Sequence, residues 1–204
     1  MVLGFPPNAL GLRPGRRLWP SRLLATAVAA CVFSGLIQAH AAQAGEPGYS
    51  LKAGYLAKFT PFVGWPEAAF AGPGSPFHLC IGGRDPFGAI IDRATSGLRV
   101  GDHPVVVLRL SPVAKDGAKD PDCHLLFLGA SRKQTPQQML AVVAGRPVLT
   151  VADETLEAPG AMVQFVTVEN RLRFTIRAEA AQAAGLTLSS KLLALAAQPR
   201  DGGK

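Results

Sequence analysis

Cysteine is scarce in this chain. Its 204 residues hold three, Cys31, Cys80 and Cys123, and no two of them form a Cys-x-x-Cys pair. Zinc ribbons and thioredoxin-like redox sites need that spacing, so neither chemistry is written here. Other signatures are missing as well. There is no G-x-S-x-G elbow to present a hydrolase nucleophile. No stretch completes the G-x-G-x-x-G fingerprint of a dinucleotide site. No long Lys/Arg run offers a track for nucleic acid, and no segment repeats. Acidic residues are absent from the first 41 positions, which contain Arg13, Arg16, Arg17 and Arg22.

That acid-free start is informative. The arginines precede "LLATAVAACVFSGLI", and "QAHAAQAG" follows. A basic region, a short apolar core and small residues at −3 and −1 make a secretory signal peptide over residues 1–41. The best cleavage point is after Ala41, with Ala44 the second choice. The apolar core is too short to span a bilayer and remain there. "VAAC" at 28–31 admits a second reading, a lipoprotein anchored at Cys31, but the residues after it stay apolar. Without the leader, 17 Lys and Arg stand against 14 Asp and Glu. The high whole-chain pI is therefore partly an export signal and implies no nucleic-acid partner. About 160 residues remain, enough for one domain with its own core. The expected organisation is a linker over 42–50, a single domain over 51–197 and a disordered tail over 198–204.

Export also reads the cysteines. Cys80 and Cys123 are an even pair in an oxidising compartment, which points to one disulfide between strands that become neighbours. Along the domain, Leu51, Tyr55, Phe59, Phe62 and Val63 recur at helical steps and predict an inward apolar stripe that ends near Pro66. Strands are expected over 77–83, 103–110, 123–130 and 146–153. A helix is expected after Asp85-Pro86, with Asp85 as its N-cap. Another follows the capping box Thr135-Pro136-Gln137-Gln138. Two strands over 161–177 form a hairpin that turns at Glu169-Asn170. A helical region over 178–196, broken at Gly185, should turn Leu188, Leu192 and Leu195 inward. Strands alternating with helices give an α/β fold, a mostly parallel sheet with helices on both faces and a late antiparallel hairpin, Rossmann-like and three-layered.

Chemistry is sparse. His78 and His124 flank the cysteines without metal-ligand spacing, so no metal is expected. Ser131 has no base or acid in its sequence context. Asp153 and Glu154 follow a strand, where a cap is the simpler reading than an acid/base pair. No catalytic residue and no cofactor are expected. The turn at Gly83, Arg84 and Asp85 opens a helix, where free N–H groups favour a small anion.

The blocks "LKAGYLAKFTPFVGWP", "LCIGGRDPFG", "CHLLFLGAS", "RPVLTVAD", "AMVQFVTVENRLRFTI" and "AAGLTLSSKLLALA", in this order and spacing, resemble the YfiR family across nearly all of residues 50–197. The resemblance implies a periplasmic α/β protein, often dimeric and without catalytic activity. It implies a regulator that holds an inner-membrane diguanylate cyclase inactive through the cyclase's periplasmic domain, with an outer-membrane lipoprotein able to sequester the inhibitor. The paired cysteines carry over onto Cys80 and Cys123. Two positions depart from the pattern: Pro159-Gly160-Ala161 replaces paired glycines, and Arg177 stands where Asn is common. A second bridge, present in some members, is impossible here. Candidate partner-contact residues are Tyr55, Phe59, Phe62 and Trp65 on the aromatic helix and Lys191 on the C-terminal one. The alternative function is a binding module for a small anion at Gly83–Asp85, and a third is an exported enzyme.

Overall fold

In the computed structural model, the described residues are 47–111 and 122–197. The expected leader with Cys31, most of the linker and the C-terminal tail lie outside them. Helix α1 (Pro47–Phe59) runs through a 3₁₀ turn (Thr60–Phe62) into β1 (Val63–Gly64) and a second 3₁₀ turn (Glu67–Ala69). Then follow β2 (Phe77–Gly82), α2 (Ala89–Thr95), β3 (Arg99–Val100), β4 (His103–Arg109) and β5 (Leu125–Leu128). The chain continues through α3 (Pro136–Val142), β6 (Leu149–Ala152), β7 (Val163–Val168) and β8 (Arg171–Ile176). It closes with α4 (Ala178–Ala183), β9 (Thr187–Leu188) and α5 (Ser190–Leu195).

One seven-stranded sheet has the order β3-β4-β2-β5-β6-β7-β8. Strands β4, β2, β5, β6 and β7 are parallel neighbours, and β3 and β8 are antiparallel at the two edges. The central strands are near-continuous apolar runs because both faces are covered. Phe77, Leu79, Ile81, Leu125, Phe127, Leu149 and Val151 pack on one face against Leu56, Phe59, Ile91, Ala181 and Leu192. These come from α1, α2, α4 and α5. On the other face Cys80, Leu126 and Leu128 meet Met139 of α3 and Val143 just after it. The expected mostly parallel α/β sheet with helices on both faces is present. So is the late hairpin, whose turn residues Glu169 and Asn170 take φ of 49° and 58°. A two-residue turn with positive φ at both positions matches the twist of the strands it joins.

Four local expectations are corrected. Helix α1 begins at Pro47, inside the stretch read as linker; proline suits a first helical position because that N–H has no helical partner. Its buried row is Lys52, Ala53, Leu56, Phe59 and Thr60, while Leu51 faces outward at 52% exposure. Phe59 and Val63 of the expected stripe are buried and Tyr55 and Phe62 pack against the core, so only Leu51 leaves it, and Lys52 takes the buried place beside it. Asp85 does not cap α2: its carboxylate closes a turn onto the amides of Phe87 and Gly88, and the helix starts at Ala89. The C-terminal region is not helical throughout. Leu188 pairs with Val63 in a two-stranded sheet, Leu192 is buried, and Leu195 points out at 64% exposure.

Candidate functional site

Open α/β sheets usually bind ligands beyond the carboxyl ends of their strands, where successive crossovers diverge. Here that point lies between β2 and β5, and backbone closes it. Gly83 takes φ +81°, and a Cβ built there would stand 2.4 Å from the Gly129 carbonyl oxygen. The Arg84 amide donates to the Ala130 carbonyl at 2.8 Å. The Asp85 carboxylate accepts from Phe87 N (2.7 Å), Gly88 N (3.2 Å) and Arg109 Nε (2.7 Å). Of the residues expected to hold an anion, Arg84 has given its amide to Ala130, and Asp85 supplies a negative charge of its own. Nearby, Ser131 Oγ accepts from the Lys133 and Gln134 amides, so it closes a turn.

Sequence reasoning missed the charged pair next to this crevice. Lys52 Nζ lies 2.9 Å from Asp153 Oδ2 and 3.2 Å from Glu154 Oε1, with the Lys52 and Asp153 side chains 3% and 2% exposed. The ammonium also sits 4.3 Å from the centre of the Tyr49 ring. Asp153 caps no helix, since β7 is the next element; its Oδ1 instead closes a turn by accepting from the Thr155 amide and hydroxyl. Burial opposes its charge, but the hydrogen bonds from Lys52 and Thr155 outweigh burial and hold its pKa below the usual value. For Lys52 burial likewise opposes the charge, and the two carboxylates prevail and raise its pKa. The available signal was a lysine one turn before Leu56 on a helix that must cover the sheet.

The opposite, amino-terminal end of the sheet holds an aromatic cluster. Trp65 follows β1, and its indole Nε1 donates to the His124 carbonyl at 3.0 Å. Phe70, placed by the Glu67–Ala69 turn, stacks on His103 with ring centres 3.6 Å apart and on His124 at 4.6 Å. Phe77 continues the cluster, 5.0 Å from His124 and edge-on to Trp65 at 4.7 Å. A cleft of about 590 Å³ opens beside Trp65, Phe70 and His103, between the Glu67–Gly74 segment and the β3–β4 hairpin.

His124 is fixed as one tautomer. Its Nε2 faces the Ala69 carbonyl (3.1 Å), which can only accept, so that nitrogen carries the proton. Nδ1 accepts from the His78 amide at 3.0 Å. Burial drives the pKa of His124 down from 6.5 to about 4, against the hydrogen bond to Ala69. The unfolded chain therefore takes up this proton near pH 6.5, while the native one resists until about pH 4. Stability rises with pH inside that window and is lost as pH falls through it. The loss amounts to about 3 kcal/mol between the two limits. Urea unfolding at pH 7 and pH 4 should show a smaller difference in His124→Gln than in the unsubstituted chain. Equal differences would contradict this role.

Cys80 and Cys123 form a disulfide, with Cα atoms 5.8 Å apart. Among the described residues no group of three or more His, Cys, Asp and Glu is placed to hold a metal. The candidate contact residues separate into two sets. Phe59 is buried against Phe165 and Phe174 and has no surface to offer. Phe59 thus takes the core position that its place in the inward stripe predicts, which leaves it unavailable as a contact residue. Tyr55, Phe62 and Trp65 are half-buried at the edge of that core. Lys191 is exposed. The β1–β9 pair and the Ser189 amide, bonded to the Phe62 carbonyl at 2.9 Å, bring the aromatic end of α1 beside the start of α5.

Comparison with curated proteins finds no match. A family model described as YfiR/HmsC-like matches residues 49–197, from the first turn of α1 to the end of the described domain. That span contains the parallel sheet, the late hairpin, the disulfide and the paired ends of α1 and α5. The chain belongs to the YfiR/HmsC-like family.

Proposed function

We propose that this chain is a periplasmic regulator that binds the periplasmic sensor domain of an inner-membrane diguanylate cyclase, holds it inactive and so keeps cyclic di-GMP low. The family match over 49–197 carries the reading, since this family is regulatory rather than catalytic. The closed crevice between β2 and β5 supports it, because the usual ligand position of the fold is filled by backbone. The resemblance further implies an outer-membrane lipoprotein that can sequester the inhibitor, and a homodimer.

The mechanism is a population shift. The regulator binds the inactive arrangement of the cyclase more tightly and so favours it. Taking the partner from almost fully on to almost fully off requires about 5.5 kcal/mol of differential affinity. An interface of that strength needs an apolar centre with a polar rim. The surface where β1 meets β9 suits this: half-buried Phe62 and Trp65 lie on one side, and exposed Lys191, Leu193 and Leu195 on the other. Lys191→Glu together with Leu195→Asp should abolish co-purification with the cyclase's periplasmic domain and leave the melting temperature unchanged. Undiminished co-purification would place the interface elsewhere; no complex with the unsubstituted chain would remove the reading.

A further inference from the structure

The cleft at the amino end of the sheet borders the proposed partner surface, sharing Trp65 and β1 with it, but the regulator reading does not use its interior. Its volume of about 590 Å³ falls in the range of small-molecule sites. Trp65, Phe70, Val63 and Val100 give it apolar and aromatic walls, and two carboxylates, Glu67 and Asp102, stand at it. No lysine or arginine lines it. Neither carboxylate has an ion-pair partner among the described residues. The nearest guanidinium in sequence, Arg99, donates to the Asp102 backbone carbonyl and forms no ion pair with either carboxylate among the described residues. His103 Nδ1 faces the Ser75 carbonyl at 2.7 Å, so it carries the proton.

We propose that this cleft binds a small organic cation, an ammonium group on a compact or planar apolar body. Three features require that class together. Trp65 attracts a cation through its negative face, and Trp65, Val63 and Val100 accept its apolar part, while Phe70 is already stacked on His103 and His124. The two carboxylates set the sign of the field, which repels carboxylate and phosphate ligands. The cleft is walled on one side by the Glu67–Phe70 turn and on the other by the β3–β4 hairpin, so a bound molecule touches both. Phe70 connects the cleft to the interior, because the same ring stacks on buried His124.

Fluorescence reads the site directly. The chain has two tryptophans, Trp19 and Trp65, so the full chain carrying Trp19→Phe reports on Trp65 alone. Benzylammonium chloride is the probe, with benzyl alcohol and sodium benzoate as the neutral and anionic controls. Benzylammonium should change Trp65 emission saturably, with a Kd on the order of 1 mM or tighter and about tenfold below that of benzyl alcohol. Benzoate should not saturate. Glu67→Gln/Asp102→Asn should weaken benzylammonium about tenfold and leave benzyl alcohol unaffected. Both positions are exposed, and an unchanged melting temperature verifies that the variant is folded. Absence of saturation by benzylammonium, equal binding of benzoate, or undiminished binding in the double variant would each overturn the proposal.

Discussion

Asp153→Ala destabilises the domain by about 3 kcal/mol or more, because it strands a charged lysine in the interior. Lys52 is held at 3% exposure by two carboxylates. Removing Asp153 leaves Glu154, at 3.2 Å and on a side chain 31% exposed, as the remaining partner. That fallback sets the cost near the lower end of what a broken buried pair usually loses. Replacing both members tests the origin of the loss. Lys52→Met/Asp153→Ala removes the unpaired charge and should recover much of the stability, since apolar substitutes for a buried pair are often neutral. The urea midpoint should therefore fall furthest in the single variant and less in the double one. A single variant within 1 kcal/mol of the parent would mean that Lys52 finds water easily, and the pair would not organise this end of the sheet.

Reduction of the disulfide gives the second large effect. Cys80 and Cys123 are 43 residues apart in sequence. Closing a loop of that length restricts the unfolded chain by about 4 kcal/mol in the chain-entropy account. Both cysteines are buried among Leu126, Leu128, Met139 and Val143, so the thiols remain satisfied apolar neighbours once reduced. The reduced protein should keep its far-ultraviolet circular dichroism at low urea and unfold at a markedly lower midpoint. Cys80→Ala/Cys123→Ala should behave similarly. Equal midpoints with and without reductant would show that the bridge does not constrain the unfolded chain.

The fold was largely legible because its signals are local. Period and punctuation are enough to identify the apolar runs at 77–82, 125–128 and 149–152 as strands buried on both faces. Thr135-Pro136-Gln137-Gln138 formed the capping box its residues require, with side-chain bonds in both directions. The errors arose where a tertiary partner overrode the local pattern. Lys52 belongs on the buried face only because Asp153, about a hundred positions away, supplies its counter-charge. Leu188 looked helical because nothing nearby in sequence announces its pairing with Val63.

The candidate site was less legible for the same reason. Trp65, Phe70, Phe77, His103 and His124 come from four separate stretches, and only the parallel sheet brings their rings together. The turn at Gly83, Arg84 and Asp85 suggested a place for a small anion. What that turn could hold depended on Gly129, whose carbonyl closes on Gly83 from just beyond the neighbouring strand. Sequence showed where backbone must come close, but not what would come close to it.

Cellular cyclic di-GMP tests the central claim most directly. It should be measured in a strain lacking this chain, in the same strain with the gene restored, and in one overproducing it, with export of the chain verified by fractionation. The account predicts a rise on deletion, reversal on restoration and a fall below the starting level on overproduction. An unchanged level in all three strains, with the chain present in the periplasm, would contradict it.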